Sequence, residues 1–361
     1  MSKKIGLGIM SGTSFDGVDY VLCQFNEDQS LKFKKQFYTR YPKKLIAKIQ
    51  KVAQTKSQSS ELIELHFELG RFYSQSLKSF QFKEKLDFIA LHGQTVFHAP
   101  PLGTLQIGHP HPLKAEFKCP VVYDFRSLDV AQGGQGAPLA PFFHEYFLDQ
   151  TEELHFIQNI GGMSNVTYKT KGQLKAFDTG LGNAFIDFFM QEHFQKPFDK
   201  NGDFAQKGIP DYEFIESFYS KEKYFKKKAP KSCGREQFSH TVYKKLLQSM
   251  SKKKLSLENK AATLTELIVY CIVNQYKEQI KKTPHQVILC GGGAKNNYIK
   301  KRLQYHLPDS FITTSFEAWG WPETALEAGA FAYLGLLRIN NQKLKLRHVT
   351  GGPNSVLGSI V

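Results

Sequence analysis

Three aspartates beside glycine turns are the residues of this chain whose types and spacing could do chemistry. Asp178 stands in Ala176-Phe177-Asp178-Thr179-Gly180-Leu181-Gly182-Asn183, ahead of a helix-like apolar segment. A carboxylate held at a strand end, followed by Thr and glycines, can accept a proton from a hydroxyl or a water. On spacing alone, a turn or N-cap aspartate is the first reading of that pattern. Asp16 and Asp19 lie in Gly12-Thr13-Ser14-Phe15-Asp16-Gly17-Val18-Asp19. Mg2+ favours carboxylates plus phosphate oxygens, so this pair is the candidate metal site.

Glycine-rich turns recur at residues 12–19, at Gly161-Gly162-Met163-Ser164-Asn165, and at Gly291-Gly292-Gly293. Without a Cβ, backbone N–H groups approach a phosphate closely, and Ser or Thr hydroxyls add donors. Any one of these loops reads equally as a tight turn with no ligand; three in one α/β chain point to phosphate binding. The chain lacks GxxxxGK[ST], a full GxGxxG after a strand, HExxH and GxSxG, so P-loop, Rossmann, zincin and α/β-hydrolase readings fall away. A further polar stretch contains His92, Gln94, Arg126, Asp129 and Gln135 at the ends of short apolar strands. It suits a sugar-binding rim, with Arg126 able to fork onto a carboxylate, and it suits loop-fixing hydrogen bonds equally.

The elements that must position these residues form a repeated unit of strand, glycine turn and strand. One copy runs from Ile5 to Phe25, the other from Phe156 to Tyr168. Two such hairpins, separated by about half the chain, predict a duplicated fold. Between and after them, β-type runs (88–91, 121–123, 286–290) alternate with helical patterns at 61–80, after Gly182, at 261–276 and from Tyr298. The fold class is α/β, with mixed sheets in two domains and loops at strand carboxyl ends, where such proteins bind ligands.

Bulk properties narrow the function classes. The 361 residues suffice for two domains, each with its own core. Glycines and polar residues interrupt the N-terminal apolar run, which reads against a signal peptide. The most apolar segment, Leu264 to Val273, is too short to span a bilayer and contains Glu266. The expectation is a cytoplasmic protein that binds no membrane. Five scattered cysteines define neither a disulfide framework nor a zinc motif. The net charge of +15 is spread over many lysine clusters and accompanies no nucleic-acid-binding motif, so a solvated basic surface is expected and an anionic small substrate is favoured.

The motifs GIMSGTSFDGVDYVL, HGQTV, TLQIG, DFRSLDVAQGGQGAPL, NIGGMSNVTY, FDTGLGN, KSCGREQF, CGGGAKN and LEAGAFAYLG follow one another in this order. Together they closely resemble the 1,6-anhydro-N-acetylmuramic acid kinase family, in the sugar kinase/chaperone/actin superfamily, over nearly the whole chain. The resemblance implies two actin/hexokinase-like domains around a nucleotide cleft, residues 1–126 with 346–361 and residues 127–345. It implies an ATP- and Mg2+-dependent enzyme of cell-wall recycling that opens the anhydro ring with water and phosphorylates O6, and it implies a homodimer. Asp178 falls on the family's general base and Gly12 to Asp19 on its ATP loop. Gly161, Gly162, Asn165 and Gly291 to Gly293 join the nucleotide residues. His92, Gln94, Arg126, Asp129, Gln135, Thr179 and Asn183 are assigned to the sugar. The sequence departs from the family pattern at Phe97, His109, Leu181 and Cys233. A kinase of another sugar and a non-catalytic actin-like assembly protein are the competing readings.

Overall fold

The computed structural model describes residues 3–361, apart from residues 13, 14, 29, 234–236, 315, 317 and 318. In chain order its strands are β1 (Lys4–Ser11), β2 (Gly17–Phe25), β3 (Leu31–Arg40), β4 (Phe88–Ala99), β5 (Gly103–Ile107), β6 (Val121–Tyr123), β7 (His155–Ile160), β8 (Met163–Thr170), β9 (Gln173–Leu181), β10 (Gln286–Cys290), β11 (Phe311–Thr313) and β12 (Ser359–Ile360). They form two mixed sheets. The first has the order β12-β6-β4-β1-β2-β3, with β5 paired to β4; the second has the order β11-β10-β7-β8-β9.

The duplication expected from the two hairpins is present strand for strand. In the first sheet β1 pairs antiparallel with β2 and β2 with β3, while β4 runs parallel to β1 and β6 parallel to β4. In the second sheet β7, β8, β9, β10 and β11 repeat those pairings in the same order. Strands at the sheet centres are nearly continuous apolar runs, because helices cover both of their faces. At the edge, β3 alternates instead, and Lys32, Lys34 and Lys35 lie exposed along it. Charges there discourage pairing with another chain's edge.

The chain divides into two compact units, residues 1–144 with 317–361 and residues 145–316. The boundaries expected from the resemblance, at 126/127 and 345/346, are therefore displaced. The segment 127–144 and the helix Leu326–Ile339 belong with the first sheet. The reason is close packing of glycine against that helix. A Cβ on Gly8 of β1 would lie 1.8 Å from the carbonyl oxygen of Ala328, and one on Gly335 would lie 2.7 Å from the Cβ of Ala90. Backbone cannot yield as a side-chain tip can. Gly8→Ala is therefore expected to destabilise the first unit by about 1–3 kcal/mol or more, read as a lowered melting temperature.

In the second unit the helix Leu257–Gln275 is buried on nearly every side. Its one acidic residue inside that apolar run, Glu266, is fully buried and satisfied. Arg302 donates to it from Nε (2.6 Å) and Nη2 (3.0 Å), and His306 and Tyr212 complete the shell at 2.6 and 3.2 Å. Burial pushes this carboxyl up, but the bonds from His306 and Arg302 outweigh it and hold it below its ordinary value. Among the described residues, no helix is long and apolar enough to cross a membrane.

Candidate active site

Strand direction brings the three glycine loops of the second unit together. Since β7 and β9 both pair antiparallel with β8, and β10 is parallel to β7, the loops after β7, β9 and β10 leave the same edge of the sheet. The amide of Asn183 donates to the carbonyl of Gly161 (2.7 Å), and that of Gly182 donates to the carbonyl of Gly162 (3.1 Å). The Asn183 side chain donates to the carbonyl of Ile160 at 3.3 Å. It thus serves as a clamp between loops.

The glycines divide into two kinds. A Cβ on Gly182 would lie 2.2 Å from the Gly161 oxygen, one on Gly291 2.3 Å from Asn159 Oδ1, and one on Gly293 2.4 Å from Ile160. These three are glycine so that the loops can touch. Gly162 has nothing within 4 Å of such a Cβ, while Gly161 and Gly292 meet their first neighbours only at 3.5 and 3.8 Å. Here missing side chains leave room for a ligand.

Asp178, near the end of β9, is 9% exposed. Its Oδ2 accepts the backbone N–H of Cys233 at 2.8 Å. Its own amide donates to the carbonyl of Lys231 (2.9 Å), and Tyr224 Oη donates to its carbonyl (2.6 Å). Burial raises the carboxyl to about 7, opposed by the bonds from Cys233 and by the charge of Lys231. A carboxyl that gains and loses its proton near neutrality is suited to general base work. Lys231 is itself buried beside the ring of Tyr224, 4.7 Å from its centre, and burial lowers its ammonium to about 8.

Cross-strand register adds two asparagines. Asn159, Asn165 and Asp178 are direct partners across β7, β8 and β9, which places them in one row on one face. Asn165 therefore belongs with the carboxylate as well as with the glycine turn. Thr179 lies at the bulge of this pairing, between Asp178 opposite Asn165 and Gly180 opposite Ser164. It is fully buried, and its hydroxyl accepts from Gln158 at 3.2 Å, which in turn accepts from Tyr276 at 2.8 Å. Its side chain thus joins the interior network.

In the first unit the corresponding edge carries the loops after β1, β4 and β6. Gln94 is fully buried and donates from Nε2 to the carbonyl of Gly12 at 2.9 Å, while its Oε1 has no hydrogen-bond partner. His92 Nε2 accepts two bonds from Arg126, from Nε (3.1 Å) and Nη2 (3.0 Å). Burial, then the guanidinium beside it, hold His92 well below its ordinary value, so the ring is neutral. Arg126 also donates from Nη1 to the carbonyl of Gly136 at 2.7 Å. Asp129 is fully buried; it accepts from the Gly136 amide (2.6 Å) and from the Thr350 hydroxyl (2.9 Å). Its carboxylate pins the loop that presents the exposed Gln135.

Within residues 12–19, Thr13 and Ser14 lie outside the described residues. Val18 is a core residue, and a Cβ on Gly17 would meet Tyr38 and Thr39. Phe15 has φ +60°, which turns the chain, and packs against the core. Asp16 is exposed and Asp19 half-buried. Burial raises Asp19 to about 6, and the Asp16 carboxylate adds to that rise.

Sequence reasoning gave no site role to Asn159, Lys231, Asp187 or Glu327, and noted Cys233 only as a departure from the family pattern. Asn159, Lys231 and Cys233 lay inside quoted motifs, NIGGMSN and KSCGREQF, but only register and packing show that they frame Asp178. Asp187, in the first turn of the helix Ala184–Phe194, is raised to about 7 by burial. Glu327, in LEAGAFAYLG, is raised by burial and by Asp19 and lowered by Arg126, which ties the metal candidates to the arginine electrostatically.

The fold and these loops define a duplicated α/β protein with open space beside some of its glycine turns and a buried carboxyl in the same sheet. A family model described as anhydro-N-acetylmuramic acid kinase matches residues 4–361. The anhydro-N-acetylmuramic acid kinase of Haemophilus influenzae is 37% identical, across 100% of this chain and 98% of its own. Those of Sulfurimonas denitrificans and of a Sulfurovum species are 36% and 35% identical, across 98% and 100% of this chain and 98% and 99% of theirs. The chain belongs to the anhydro-N-acetylmuramic acid kinase family.

Proposed function

We propose that the protein transfers the γ-phosphoryl group of ATP to O6 of 1,6-anhydro-N-acetylmuramic acid while water opens the anhydro ring. The observation that carries this reading is Asp178, a buried carboxyl poised near neutrality beside glycine loops where a Cβ would meet no close neighbour. Asp178 takes a proton from water, whose oxygen bonds to C1. The C1–O6 bond breaks, and O6 attacks the γ-phosphorus as the bond to ADP breaks. The products are N-acetylmuramic acid 6-phosphate and ADP.

Such a transfer depends on positioning and on charge neutralisation. Backbone amides of Gly162 and Gly292 supply donors to phosphate, and Asn165 lies beside Asp178 to orient the sugar or the water. Asp16 and Asp19 fit Mg2+: burial is the main force that raises Asp19, the Asp16 carboxylate adds to it, and a divalent cation relieves both. The bound ion would neutralise developing phosphate charge. Arg126, its guanidinium held by neutral His92, suits the lactyl carboxylate of the substrate. We propose further that the enzyme is a cytoplasmic homodimer, which gel filtration and cell fractionation test.

The test of function is mass detection of the product after incubation with ATP, Mg2+ and the anhydro sugar. A product heavier than the substrate by one phosphoryl group plus one water is expected; unchanged sugar overturns the reading. Lys231→Met probes the base. Loss of the ammonium removes a force that lowers Asp178, so the acid limb of the kcat profile should move to higher pH. An unmoved limb would show that Lys231 does not act on the base.

A further inference from the structure

At the opposite end of the second sheet, away from the glycine loops, two histidines and a glutamate converge. His155 is the first residue of β7, and His285 directly precedes β10. The parallel pairing sets Gln286 opposite His155, and the amide of His285 donates to the carbonyl of Leu154 at 2.8 Å. The two imidazoles stack, with ring centres 5.9 Å apart. Glu153 reaches both: its Oε2 lies 3.4 Å from His155 Nε2 and 3.1 Å from His285 Nε2.

We propose that Glu153, His155 and His285 form a binding site for a divalent transition ion, Zn2+ in the first instance. All three ligand atoms lie within 4.8 Å of one another. Donors on a tetrahedral zinc, with bonds of about 2.0–2.2 Å, sit ~3.3–3.5 Å apart. The two separations to Glu153 are already close to that value, so a small inward turn of the side chains completes the set. Two imidazoles and one carboxylate are donors that zinc accepts, and Mg2+ is poorly served by nitrogen.

Burial favours the same reading. His155 is 8% exposed, so an ion held at its Nε2 is shielded from bulk water on that side. Glu153 and His155 also line a cavity of about 380 Å3, together with Thr151, Lys169, Lys171 and Lys282. A fourth ligand, water or a small anion, reaches the ion from that side. The site ties the loop before β7 to the loop before β10, and its role is to fasten the amino ends of two central strands.

The experiment uses the full chain, stripped with chelator and titrated with Zn2+ by calorimetry, then with Co2+ followed by its visible ligand-field bands. Wild type should bind one ion per chain with tetrahedral Co2+ bands, and Zn2+ should raise its melting temperature. Outer-shell losses alone cost about 10–100-fold in metal affinity, so removing a ligand by His285→Ala or Glu153→Gln should cost at least about 100-fold. Both positions are substantially exposed, so these variants should fold, and the melting curve in chelator verifies it. Absence of binding at micromolar Zn2+, or binding that survives His285→Ala unchanged, overturns the proposal.

Discussion

Asp178→Asn should lower turnover by about 10^2–10^4-fold, the range a positioned general base contributes, with ATP affinity nearly unchanged. The substitution keeps the shape of the side chain and an acceptor for the Cys233 amide, so geometry survives and proton acceptance is lost. A variant that still phosphorylated the anhydro sugar at near wild-type rate would refute the role. Stability should move the other way. Asp178 titrates at about 7 in the folded chain, against an ordinary value of 3.8, because burial disfavours its charge. An acid raised in this way makes the native state lose stability as pH climbs from 3.8 through 7, since the folded form holds the extra proton. Each unit of displacement is worth about 1.4 kcal/mol, so the cost above pH 7 is on the order of a few kcal/mol. Asparagine carries no such charge. Its variant should therefore melt higher than wild type at pH 8, with the difference closing towards pH 4. Equal melting at both pH values would mean that Asp178 is not burdened by burial.

The second large effect is expected at Gly162. A Cβ there meets nothing within 4 Å and can direct a longer side chain outward, so Gly162→Leu should leave the melting temperature close to wild type. It fills the space over the β7–β8 turn where a phosphate would approach the backbone, and misplacement by about 1 Å can cost 10^2-fold. We expect kcat/KM for ATP to fall by roughly that factor. Gly182→Ala is the counterpart: its Cβ would strike the Gly161 carbonyl, so stability falls together with activity. If Gly162→Leu left kcat/KM unchanged, the opening would be an ordinary surface turn. Together the two variants separate glycines required by a ligand from those required by packing.

Local pattern made much of this molecule legible. Both hairpins, the strands at 88–91, 121–123 and 286–290, and the helix rich in Leu and Ile near 264–273 follow from periodicity and turn residues, which act over a few residues of chain. Asp178 was legible for the same reason, as a carboxylate between an apolar strand and glycines. Family membership, too, rests on ordered motifs that need no coordinates. The domain boundary was less legible, because the helix Leu326–Ile339 is claimed by the first sheet through glycine contacts with residues far away in the chain, such as Gly8 with Ala328 and Gly335 with Ala90.

What tertiary structure decided was the partner of each polar group. Asp129, Thr179 and Asn183 have the residue types of a sugar rim, but two of them are spent inside the fold and the third clamps loops. Type and spacing do not report which face of a strand is buried once a bulge has shifted register, as happens beside Asn165. Nor do they report burial, and burial is the main force that raises Asp178 towards neutrality and lowers Lys231 beside it. The sequence by itself determined that a carboxylate would stand among glycine turns in a duplicated α/β chain. Packing over long sequence separations decided its proton affinity, because desolvation depends on every group that surrounds it.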